Sequence, residues 1–238
     1  MPNVDINTFS KIVHSHFGEH HGFGVSKPLA LDLLSQTLQI LDEFNIQHCL
    51  ISGTLLGKIR HNDFIPWDDD IDILVDGSLQ SKLPDIIEKY HNRFTFIGDL
   101  GGYNGVKICF CDVGSEIKTN NHGCKQRIIN KNGKYNWPFV DLFVYTTDGD
   151  SIRFFDKDWD MSRMIPFIKS DFVGISVNLP QDSDYFLQRN FSPDYMTKLI
   201  SNWHHHKTET NVHHEEVIDI SIEEYNYILK YNRGDKTI

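Results

Sequence analysis

Between Asp70 and Val75 the side chains alternate, with Ile71, Ile73 and Val75 on one side and Asp70, Asp72 and Leu74 on the other. A period of two marks a strand with one buried face, because successive side chains point to opposite faces. Asp70 and Asp72 therefore project together while the aliphatic residues pack behind them. Two adjacent carboxylates repel, and one takes up a proton unless a cation sits between them. A hard divalent cation relieves that repulsion, since Mg2+ accepts oxygen ligands and keeps waters for a phosphate. Acidic runs are ordinarily solvated loops, and Asp68 and Asp69 read as loop residues beside the pair. A solvated loop gives no reason for Ile71, Ile73 and Val75 to alternate with acids.

A phosphoryl-transfer site needs a third acid nearby. The stretch Phe139-Val140-Asp141-Leu142-Phe143-Val144-Tyr145 places a lone acid inside an apolar strand, which is costly if it is unpaired. A neighbouring strand could bring Asp141 onto the same metal. The alternative is a strand-end Asp bonded to backbone amides. Ahead of the acidic strand, Cys49 to Ser52 reads as a strand, Gly53-Thr54 as a turn and Leu55 to Arg60 as a short helix. Such a turn leaves free amides aimed outward, as phosphate oxygens require.

The rest of the chain supplies a sheet and its helices. Pro28 opens a helix in which Leu31, Leu34, Leu38, Leu41 and Phe44 recur at helical spacing, with Asn45 as its stop. Ser81 to Tyr90 reads as a second helix, and Arg93 to Ile97, Val106 to Cys111, Pro138 to Tyr145 and Phe172 to Leu179 read as strands. Residues 114–136 form a polar loop or hairpin. Helices are expected at Tyr185 to Asn190 and Ile222 to Tyr231. The order predicts an α+β domain, with helices packed on a mixed β-sheet. Residues 1–27 read as a loosely packed arm, 28–205 as the catalytic domain and 206–238 as a helical extension. Sixteen Phe predict an aromatic-rich core.

A formal charge of -10 argues against a general nucleic-acid binder. It leaves a nucleotide substrate open, because a bound cation reverses the local sign. No run approaches the roughly 20 apolar residues of a membrane-spanning helix. Met1 to Lys11 lacks a basic patch followed by an apolar stretch, so no signal peptide is expected. Four cysteines without a framework spacing suit a reducing compartment, and the expected location is cytoplasmic.

Other features carry less. Cys109, Cys111, His122 and Cys124 are spaced irregularly for zinc, and the first two more simply share a strand face. Lys118, Lys125, Arg127, Lys131 and Lys134 read as a solvated hairpin, with an anion-gripping loop as the alternative. The run His204-His205-His206, with His213 and His214, reads as exposed surface. Trp67 is placed either to stack on a base or to anchor the loop before the acidic strand.

The segment Ile51-Ser52-Gly53-Thr54-Leu55-Leu56-Gly57-Lys58-Ile59-Arg60-His61-Asn62-Asp63-Phe64-Ile65-Pro66-Trp67-Asp68-Asp69-Asp70-Ile71-Asp72-Ile73 closely resembles the signature of the LicD family, which includes bacterial phosphocholine transferases and the catalytic domains of fukutin and fukutin-related protein. The likeness continues through Phe139-Val140-Asp141-Leu142-Phe143 and Val177-Asn178-Leu179-Pro180. It covers roughly residues 30 to 200. Lys58 and Asp63 stand where the family commonly has small residues, and Arg189-Asn190-Phe191-Ser192-Pro193 replaces a common Tyr-Gly.

The resemblance implies a nucleotidyltransferase-like fold and a metal-dependent phosphotransferase. It would move phosphocholine or an alditol phosphate from a CDP-linked donor to a glycan hydroxyl. Asp70, Asp72 and Asp141 would be catalytic and would hold Mg2+ or Mn2+. Gly53 and Thr54 would meet donor phosphates and Arg60 would clamp the diphosphate; Trp67, from its own position, is counted with the substrate-binding residues. Three rivals compete: a nucleotidyltransferase releasing pyrophosphate, an Asp-x-Asp glycosyltransferase, and a catalytically silent nucleotide-binding protein.

Overall fold

Leucines at helical spacing after Pro28 form α1, Lys27–Glu43, which buries Leu33, Leu34, Leu38 and Leu41. The helix stops before Asn45, whose φ of 51° cannot continue it. The structure, a computed structural model, describes residues 22–65, 67–100, 103–111, 117–119, 125–127, 136–200, 204–206, 210–211 and 217–219. The expected helix at Ile222 to Tyr231 and nearly all of the N-terminal arm lie outside these residues. Within the described part of the arm, Phe23 is buried against Phe64 and Trp137.

After α1 come β1 (His48–Leu50), α2 (Ser52–His61), β2 (Ile71–Asp76), α3 (Ser78–Tyr90), β3 (Phe94–Leu100) and β4 (Tyr103–Phe110). The short strands β5 (Ile117–Thr119) and β6 (Lys125–Arg127) pair with each other, and β7 (Phe139–Asp148) follows. Next are β8 (Ser151–Phe154), β9 (Lys157–Asp160), α4 (Met161–Met164), β10 (Ile168–Phe172), β11 (Ile175–Leu179) and α5 (Ser183–Asn190). The last elements are β12 (Lys198–Ile200), β13 (His204–His205), β14 (Thr210–Asn211) and β15 (Val217–Asp219). β12 pairs with β15 and β13 with β14.

The main sheet runs β1-β2-β7-β4-β3, with β8 and β9 extending from the end of β7. β2 and β7 are parallel and the other pairs antiparallel, so the sheet is mixed. α2 packs against β2, α3 against β3, and α1 against β7 and β4. Aromatic residues dominate the core: Trp159, Phe94, Phe139, Phe172 and Phe186 are its largest fully buried side chains. Trp159 stacks on both Phe154 and Phe186, with centroids 5.0 Å and 4.8 Å away, and those two rings lie 6.1 Å from each other. Among the described residues no helix is long and apolar enough to cross a membrane.

Several local expectations are corrected. Gly53 and Thr54 lie inside the first turn of α2 rather than in a turn before it, because the Leu55 N–H already donates to the Ile51 carbonyl at 2.9 Å. β2 is buried on both faces, not one: Ile71 to Val75 are all buried, and α2 packs against the strand. Phe172 to Leu179 is not one strand but the second half of a hairpin, folded at Val173 and Gly174, both with positive φ. The β8–β9 hairpin is invisible to a periodicity argument because its strands are four residues each.

Gly57 makes α2 compatible with the loop that carries the acids. A Cβ there would stand 2.6 Å from the Asp63 carbonyl oxygen and 2.9 Å from the Ile65 nitrogen, both backbone atoms. Gly-to-Ala inside a helix ordinarily stabilises by about 0.5–1 kcal/mol. Here Gly57→Ala is expected to destabilise instead, by about 1–3 kcal/mol, through overpacking against backbone. Urea unfolding measures this, and an unchanged or higher midpoint would show that the loop yields.

Candidate metal centre

β2 delivers Asp72, while Asp70 stands immediately before the strand rather than within it, where the alternation places it. Register does the rest: Asp72 stands opposite Asp141 across the parallel β2–β7 pair, and Lys107 opposite Asp141 across β7–β4. Residues opposite each other on neighbouring strands share a face at roughly 5 Å. Asp70, Asp72 and Asp141 can thus each offer one oxygen, all within 4.8 Å of one another.

Asp72 is tied to the start of α2. Its backbone N–H donates to Thr54 Oγ1 at 2.9 Å, and its carboxylate accepts from the Gly53 N–H. The two residues expected to meet donor phosphates therefore face the metal-site acid. Asp68 lies over the same turn, since a Cβ on Gly53 would stand 2.3 Å from Asp68 Oδ2. Asp69 is buried, its carbonyl accepting from Trp137 Nε1 at 2.7 Å.

Lys107 was not singled out by the sequence. Its Nζ lies 2.7 Å from Asp141 Oδ1 and donates to Oδ2 at 3.0 Å, with both residues more than nine-tenths buried. The 2.7 Å approach lacks hydrogen-bond geometry, so Asp141 Oδ1 stays buried without a hydrogen-bond partner. The available signal was a lone Lys between Val106 and Ile108 in an apolar strand. His206, expected at an exposed surface, instead places Nε2 3.2 Å from Asp70 Oδ2.

Arg60 is buried at the end of α2, and its Nη1 donates to the carbonyls of Tyr195 at 2.8 Å and Lys198 at 3.2 Å. Trp67 is 3% exposed and meets the His61 ring edge-on at 5.9 Å. Cys109 is buried and Cys111 Sγ donates to the Asn92 carbonyl. His122 and Cys124 lie outside the described residues, as do His213, His214, Lys131 and Lys134, while Lys118, Lys125 and Arg127 lie on the paired strands β5 and β6.

The electrostatics are those of a crowded acidic site. Burial first, then the charges of Asp70, Asp68 and Asp141, push the Asp72 carboxyl well above the ordinary range. Burial and the neighbouring Asp70 and Asp69 do the same to Asp68. Burial also opposes ionisation of Asp70, but the His206 hydrogen bond and charge, with Lys107, outweigh it and hold Asp70 low. Burial lifts Asp141 to about 6 against the pull of Lys107.

This donor set fits a hard divalent cation. It offers three carboxylate oxygens at close quarters, with like charges that disfavour joint ionisation. Cation binding must then displace protons. Asp141, at about 6, is largely protonated below that pH and ionised above it, so affinity should rise with pH. Below pH 6 the Kd for Mg2+ or Mn2+ should fall about tenfold per pH unit for one displaced proton. Calorimetry in buffers of different ionisation heat measures this, and a pH-independent Kd without proton release contradicts it.

The family model described as LicD/FKTN/FKRP, nucleotidyltransferase domain, matches residues 45–182, more than half of the chain. The lipopolysaccharide cholinephosphotransferase LicD of Haemophilus influenzae is 28% identical over 121 residues, which cover 49% of this chain and 42% of that protein. An uncharacterized protein of Rickettsia prowazekii is 33% identical over 88 residues, 37% of this chain and 33% of its own length. The chain thus matches less than half the length of these curated relatives. Among solved structures, the lincosamide antibiotic adenylyltransferase LnuA, lincomycin-bound, aligns at 10% identity with a TM-score of 0.37, covering 63% of this chain and 78% of that one. ANT(2")-Ia in complex with adenylyl-2"-tobramycin aligns at 14% identity with a TM-score of 0.41, covering 66% and 76%.

Proposed function

This chain belongs to the LicD family and has its nucleotidyltransferase-like α+β fold, and from that premise we propose a divalent-metal-dependent phosphotransferase that moves a phosphorylated alcohol from a CDP-linked donor to a glycan hydroxyl. The observation that carries this reading is the cluster of Asp70, Asp72 and Asp141, each offering an oxygen within 4.8 Å of the others.

In this reading Asp70, Asp72 and Asp141 hold Mg2+ or Mn2+. The chemistry such a cation supplies is neutralisation of charge on a transferring phosphoryl group. Asp141 or Asp72 accepts the proton of the acceptor hydroxyl. The hydroxyl oxygen bonds to the phosphorus that carries the alcohol, the bond from that phosphorus to the CMP oxygen breaks, and CMP leaves. Gly53 and Thr54, at the start of α2, approach the donor phosphates while fixing Asp72. Arg60 acts on the site through the carbonyls it holds, and Trp67 through its packing. The four cysteines have no framework spacing, which supports a reducing, cytoplasmic setting.

A thermal-shift panel of CDP-, UDP- and GDP-linked compounds with Mg2+ or Mn2+ tests the donor, followed by product analysis. Metal-dependent stabilisation by CDP-alcohols and release of CMP is expected. Preference for UDP- or GDP-sugars would favour a glycosyltransferase instead. Pyrophosphate release would favour nucleotidyl transfer, and binding without turnover a silent protein.

A further inference from the structure

Asp70 is the one acid of the cluster that stands outside a strand, immediately before β2. The ladder that fixes Asp72 opposite Asp141 does not extend to it. A metal ligand at the end of a loop needs its orientation from another source.

His206 supplies a built contact at that place. Its Nε2 lies 3.2 Å from Asp70 Oδ2, and its backbone N–H donates to Asp69 Oδ1 at 3.3 Å. Its ring meets Phe139 edge-on at a centroid distance of 5.2 Å. Phe139 is fully buried and lies on β7, two residues from Asp141. One histidine thus touches both acids of the loop end and the strand that carries the third ligand. His206 is not among the residues whose ligand atoms cluster. It also lies beyond residues 45–182, the span that matches the family.

We propose that His206 is a positioning residue for the metal centre, orienting the Asp70 carboxylate by donating from Nε2 to Oδ2. The proposal rests on reading the Asp70–Asp72–Asp141 cluster as a metal site. Ligands held by an outer hydrogen bond bind metal more tightly because their orientation is fixed before binding, and losing such a partner costs about 10- to 100-fold in affinity. A segment outside the family-matched span would then set the affinity of the site.

The test is Mn2+ binding by calorimetry to the full chain, wild type against His206→Ala, His206→Gln and Asp72→Asn, with metal-free melting curves alongside. Wild type should bind and Asp72→Asn should not. His206→Ala should raise the Kd about 10- to 100-fold with an unchanged metal-free Tm. His206→Gln, whose amide can also donate, should recover most of the affinity. Wild-type affinity in His206→Ala overturns the proposal while leaving the metal site standing. Equal weakening in both His206 variants also overturns it, since loss of packing on Phe139 would then be the cause. Failure of the wild type to bind any divalent cation overturns the metal-site reading and the proposal together.

Discussion

Asp72→Asn should abolish transfer, lowering kcat by at least about 1,000-fold, since loss of metal-based charge stabilisation removes several kcal/mol from the transition state. Folding should survive. Asp72 is 8% exposed and faces Asp70, Asp68 and Asp141, whose charges oppose its ionisation. The amide oxygen of Asn can still accept from the Gly53 N–H, and the Thr54 bond to the residue 72 backbone is untouched. The urea midpoint without metal should therefore stay the same or rise. Full activity in this variant would remove Asp72 from the site, and a collapse of the midpoint would make its role structural.

The largest expected effect on stability is at Lys107. Lys107 and Asp141 are a buried pair, 9% and 8% exposed. Removing one partner of such a pair costs about 3–5 kcal/mol, because the remaining charge is left uncompensated. Lys107→Met keeps the volume and removes the charge, so it should destabilise by about 3 kcal/mol at pH 8. The pH dependence follows from Asp141. Its carboxyl sits at about 6 with Lys107 present and moves higher without it, since Lys107 pulls it down. At pH 8 the wild type keeps the pair, while the variant must bury a lone carboxylate or take up a proton. As pH falls below 6 the wild-type Asp141 also protonates, and the gap should shrink. Urea unfolding at pH 8 and pH 5 reads this. Adding Asp141→Asn should restore most of the loss. A penalty that is equal at both pH values and persists in the double variant would mean that the stem of Lys107, rather than its charge, is what the core needs.

Legibility followed the range of the interactions. α1 was readable because its leucines recur on one face and Asn45 stops it, all within one element. The Gly53-Thr54 turn belongs to α2 because the Leu55 N–H already bonds back to the Ile51 carbonyl, and no local pattern announces that. The Phe172 to Leu179 run hid a hairpin, because Val173 looks like a strand residue yet takes φ 52° ahead of Gly174. Arg60 carried a family-derived donor role, and Trp67 a base-stacking role read from its position. Their surroundings, two backbone carbonyls and a buried pocket beside His61, were out of reach of sequence spacing.

The sequence by itself placed Asp72 on an alternating strand with Asp70 at its head, because the alternation of side chains along a strand is a property of the backbone. It also identified Asp141 as an acid inside an apolar strand, and the long motif from Ile51 to Ile73 carried the family. Only the tertiary structure decided which groups meet. Laying β7 parallel to β2 set Asp72 opposite Asp141, and laying β4 on β7 put Lys107 against both oxygens of that acid. His206 reaches Asp70 from outside the family-matched span. Register between strands so far apart in the chain depends on how the whole core packs, and a shift of one residue would turn Asp141 to the opposite face.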